Sequence, residues 1–116
     1  MREILFRGKR IDNGEWVYGD LIHRRYLKRD TFLIRTSDSG FDNYEEHYVD
    51  SLTIGQYTGF TDKNGKKIFE GDIVISTNKR KLSKKPELVE YCPISGYWMC
   101  AEDREPLVLG NIFDNP

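Results

Sequence analysis

The stretch Tyr57-Thr58-Gly59-Phe60-Thr61-Asp62-Lys63-Asn64-Gly65-Lys66-Lys67-Ile68-Phe69 reads as two short apolar runs around a polar turn. Asp62-Lys63-Asn64-Gly65-Lys66 holds the residue types that accept positive φ, and the flanking aromatic and β-branched residues suit strands, so residues 57–69 are expected to form a β-hairpin. Gly71-Asp72 then resets the backbone for Ile73-Val74-Ile75-Ser76-Thr77. Apolar residues at consecutive positions there predict a strand covered on both faces, central in its sheet.

The same alternation of bursts and turns extends in both directions. Upstream, residues 3–7 and 15–22 flank Asp12-Asn13-Gly14, a second hairpin signal. A basic stretch over residues 23–29 interrupts, and residues 31–36, rich in β-branched and aromatic side chains, resume as a strand. Residues 37–48 are polar and acidic and read as a surface excursion with a short strand at its end, while residues 51–56 suggest a brief helical turn. Downstream, a basic loop over 79–85 leads to strands at 86–92, 97–101 and 107–109, with a turn near Ser95-Gly96. Few windows keep a helical period, so an all-β fold is expected: a small antiparallel barrel or folded sheet of about seven to eight short strands with little helix.

The chain has 116 residues, near the commonest size for one domain, so a single domain over 1–116 with one core is expected. Its hydrophobic content of 38% exceeds that of a disordered chain, and seven Tyr, six Phe and two Trp supply large apolar areas for a small core. A net charge of -1 gives no global basic field to attract nucleic acid, so recognition by charge has to be local. The start of the chain lacks the apolar run of a signal peptide, and no segment is long enough to span a bilayer as a helix. A cytoplasmic protein with reduced Cys92 and Cys100 and no membrane partner is expected.

Three stretches carry further information: Met1-Arg2-Glu3-Ile4-Leu5-Phe6-Arg7-Gly8, the long run Ile54-Gly55-Gln56-Tyr57-Thr58 through Glu70-Gly71-Asp72-Ile73-Val74, and Val108-Leu109-Gly110-Asn111-Ile112-Phe113-Asp114-Asn115-Pro116. Together they resemble the YopX family of phage and prophage proteins. The resemblance implies a phage or prophage origin in a bacterium, a largely β fold, self-association and no established biochemical activity. It brings no catalytic residues with it. The residues that carry it build turns and core.

The chemistry-bearing residues are sparse. Cys92 and Cys100 lie eight apart, and His23 and His47 are isolated, a spacing unlike that of structural zinc ligands, so no metal or cofactor is expected. Neither His sits in the context of an activated nucleophile, and the neighbours Glu45 and Glu46 point to opposite faces of a strand, so no catalytic residue is assigned and no enzyme is expected. Two basic clusters remain as candidate nucleic-acid contacts. Arg24, Arg25, Tyr26, Lys28 and Arg29 mix cations with an aromatic, and Lys79, Arg80, Lys81, Lys84 and Lys85 form a second group. The first expectation is a non-enzymatic phage accessory protein acting through its surface in binding or assembly, as a homo-oligomer, with an unknown partner. The alternative is a nucleic-acid-binding module using those two loops.

Overall fold

The computed structural model describes residues 3–37, 44–76, 85–92, 97–98 and 106–114. They fall into two compact units, Met1–Gln56 and Tyr57–Pro116. Among the described residues all pairings between strands are antiparallel, and the helical content is a single 3-10 turn, Ser51–Thr53. The expected mainly-β class is borne out. No described helix is long and apolar enough to cross a membrane.

In the first unit β1 (Phe6–Lys9), β2 (Trp16–Tyr26), β3 (Arg29–Ser37) and β4 (Tyr44–Tyr48) lie in the order β4-β3-β2-β1, and the opening residues of β5 (Gly55–Thr61) pair with β1. The hairpin expected around Asp12-Asn13-Gly14 forms, with Gly14 at φ 73° and the Asn13 side chain accepting from Glu15 N. Strand β2 changes partner part-way along. Residues 16–19 pair with β1, whereas Asp20 to Tyr26 pair with β3. The sheet also curls, so that the residues following β1 and β4 meet: Arg10 and Val49 form an isolated bridge, and Ile11 N donates to Tyr48 O. The pairings stop short of the closed barrel considered above, which leaves the folded sheet. Leu33, Ile34 and Val49 are buried here.

In the second unit the rest of β5 pairs with β6 (Lys67–Phe69), the hairpin expected from residues 57–69. Its register shifts between Tyr57 and Thr61, around Gly59 at φ 90°. Strand β7 (Asp72–Ser76) lies between β8 (Glu87–Leu88) and β11 (Pro106–Asn111), the central place its apolar run predicted. Ile68, Val74 and Val89 form the core with Val108 packed against it. Two further two-residue strands, β9 (Tyr91–Cys92) and β10 (Tyr97–Trp98), pair with each other. Very short strands such as these raise the number among the described residues to eleven, above the seven or eight expected, because two-residue pairings leave no periodic pattern to read.

Three buried polar side chains of this unit serve the backbone. Thr58 Oγ1 donates to Ile68 O at 2.8 Å and accepts from Phe60 N, and Asp72 Oδ2 accepts from Phe69 N at 2.8 Å. The carboxylate of Asp62 accepts from the N–H groups of Asn64, Lys66 and Val108, tying the β5–β6 turn to β11.

Candidate functional site

The first basic cluster is not the loop its composition suggests. Strand β2 runs straight through it to Tyr26, β3 restarts at Arg29, and Leu27 and Lys28 alone form the turn. Both have positive φ, 49° and 65°, the signature of the type I′ turn that matches strand twist. Asn-Gly is the usual occupant of such a turn, which is why the sequence carries no turn signal here. Long Arg and Tyr side chains pair across the strands instead: Arg24 faces Thr31, Arg25 faces Asp30 and Tyr26 faces Arg29.

These last rungs pair with nothing else among the described residues, since β1 reaches only to Gly19 on one side and β4 only to Leu33 on the other. The result is a two-stranded arm. Alternation places His23, Arg25, Asp30 and Phe32 on one face and Arg24, Tyr26, Arg29 and Thr31 on the other. Tyr26 is 77% exposed and Leu27 82% exposed. Leu27 was absent from the candidates drawn from the sequence, where a leucine among cations carries no sign of exposure.

The charges on the arm divide into committed and uncommitted groups. Arg24 Nη2 lies 3.0 Å from Glu46 Oε2, and Arg35 Nη2 lies 2.7 Å from Glu46 Oε1. The hydrogen bond from Arg35 and the charge of Arg24 hold the Glu46 carboxyl below its usual range, against its partial desolvation. Arg35 is also stacked on the Tyr44 ring at 4.6 Å. His23 reaches Asp30 at 2.9 Å and stacks on Phe32 with centroids 4.6 Å apart. Arg25, Lys28 and Arg29 draw no ion-pair partner among the described residues. An open cleft of about 790 Å³ lies at the base of the arm, with Asp30, Thr31 and Phe32 on one side and Lys9, Arg10 and Tyr48 among its other walls.

Of the sequence candidates, Arg24, Arg25, Tyr26, Lys28 and Arg29 are thus gathered on one arm, with Arg24 engaged by Glu46. Lys79, Arg80, Lys81 and Lys84 lie outside the described residues, as does Cys100, and Lys85 is exposed in the second unit. His47 bonds Glu45 at 3.0 Å.

The turn makes its own prediction. An L-residue with a Cβ in the left-handed region costs roughly 1 kcal/mol, so the double variant Leu27→Asn, Lys28→Gly is expected to stabilise the protein by about 1–2 kcal/mol. A shift of the urea midpoint to lower concentration would contradict the turn assignment.

The fold has a solved counterpart. The crystal structure of protein EF1440 from Enterococcus faecalis superposes with a TM-score of 0.58 at 21% identity, over 100% of this chain and 97% of that one. None of the curated proteins compared matches the chain. The family model described as YopX protein matches residues 5–116, both units together and the arm included. On that match, the chain belongs to the YopX family.

Proposed function

We propose that this chain is a non-enzymatic binding or assembly protein of phage or prophage origin, acting in the bacterial cytoplasm through the β2–β3 arm. The observation that carries the reading is the arm's apex, where Tyr26 is exposed at the end of β2 and Leu27 stands exposed on a turn that its residue type does not favour. Backbone strain retained at an exposed point is most economically explained by what the side chains there contact. The use of Thr58, Asp62 and Asp72 as backbone acceptors and donors is that of a framework.

Affinity capture tests this reading. Tagged wild-type protein and a Tyr26→Ser, Leu27→Asn variant are used as bait in host lysates, with nucleic acid intact and digested in parallel. Partners retained by the wild type and lost with the variant are expected. Identical captures by both would remove the arm from the function.

A second reading, binding of nucleic acid, is favoured by Arg25, Lys28 and Arg29 gathered about Tyr26 at one end of the arm. With Lys79, Arg80, Lys81 and Lys84 outside the described residues, it stands on the arm alone. Captures that disappear on nuclease treatment support it.

A further inference from the structure

We propose that the arm enters a groove of double-stranded DNA and that Leu27, at its apex, wedges between neighbouring base pairs and bends the duplex. The inference rests on the nucleic-acid reading of the same arm. It starts from a mismatch between residue and conformation: Leu27 at φ 49° and 82% exposed gains neither a favoured backbone state nor burial within the fold. An aliphatic side chain at the end of a thin projection has the shape of the apolar wedges that unstack a base step.

The charges fit the same geometry. Arg25 lies on one face of the arm, Arg29 on the other, and Lys28 beside the apex, so cations stand one or two residues behind the wedge on each side. Phosphates flank a base step in the same way, one strand on either side of the groove. The arm's outer rungs are a bare two-stranded ribbon, a form that duplex grooves admit.

Two other partners fit less well. A single strand is held by successive aromatic platforms, and the apex offers one, Tyr26. A membrane surface calls for a broad apolar face, and here one Leu and one Tyr project from among ionic groups.

The test uses the full-length protein and a 25-base-pair duplex, about 25 base pairs being enough for an arm and its flanks, labelled at its ends as a donor–acceptor pair. Anisotropy reads binding and energy transfer reads bending. Wild type is expected to bind and to raise the transfer, and three phosphate contacts predict an affinity loss of about 40-fold between 50 and 200 mM salt. Leu27→Asn keeps a residue that accepts positive φ, so the arm stays intact; it is expected to bind within roughly threefold of wild type, since phosphate contacts dominate affinity, and to leave the duplex straight. Leu27→Gly serves equally if the first variant misfolds. Binding without bending, equal bending by Leu27→Asn, or binding to single strands alone would overturn the wedge and leave the nucleic-acid reading standing. No binding to any nucleic acid at 50 mM salt, with or without binding to anionic vesicles, would overturn both.

Discussion

Asp62→Ala is expected to lower the stability of the fold by about 3 kcal/mol, one for each backbone N–H left without its acceptor. The bonds to be lost run from Asn64 at 2.8 Å, Lys66 at 2.9 Å and Val108 at 3.2 Å. Asp62→Asn should cost less than Asp62→Ala, because its amide oxygen still accepts from Asn64 and Lys66 while its NH2 group turns a donor toward the N–H of Val108. Burial by itself raises the Asp62 pKa, but the N–H groups of Lys66, Val108 and Asn64, with the charge of Lys66, more than offset it, and the net direction is down. A carboxyl depressed on folding contributes its stability above its unfolded pKa, about 4, and loses it as pH falls through the lower folded value. The gap between wild type and Asp62→Asn in chemical denaturation is therefore expected to be full at neutral pH and to close below about pH 4. A gap that stayed constant into strong acid would contradict this account.

The second large effect is expected at Gly19. This residue is the last of β2 to pair with β1, and the next, Asp20, is the first to pair with β3. The strand is handed from one neighbour to the other there, and the backbones crowd together. A Cβ on Gly19 would run into the carbonyl oxygen of Arg35 and lie 3.3 Å from Thr36 Cα. Backbone atoms cannot swing aside, so Gly19→Ala is expected to cost about 3 kcal/mol, at the upper end for overpacking. Gly8 provides the comparison. Its added Cβ would lie 3.0 Å from Val49 Cβ, a tight contact but not the overlap met at Gly19, and about 1–2 kcal/mol is expected for Gly8→Ala. Equal thermal midpoints for the two variants would show that the partner change at Gly19 is not under steric control.

What the sequence made legible follows the same physics. The β5–β6 hairpin announced itself because Asp62, Asn64 and Gly65 are turn formers, and Gly65 does adopt φ 82°. The central position of β7 followed from consecutive apolar residues. The arm was misread as a loop because Leu27 and Lys28 occupy a turn that normally advertises itself with Asn-Gly. Arg24, Arg25, Tyr26, Lys28 and Arg29 do fall together on the arm, but the exposed Leu27 and the pairing of Glu46 with Arg24 and Arg35 were not visible. The bond from Val108 to Asp62 joins residues 46 apart, beyond any local pattern. The exchange of partners at Gly19 depends on three strands at once, and one sequence shows only one of them.

The outer rungs of the arm, Arg24 to Tyr26 against Arg29 to Thr31, pair through the backbone only with each other among the described residues, and Arg24 reaches back to Glu46 of β4. Residues there are outside the packed interior, and substitutions at such positions usually change stability by no more than about 0.5 kcal/mol. The arm's tip can therefore be rewritten while the sheets keep the same folding instructions. In such a chain the sequence of the tip and the fold of the scaffold are separable traits.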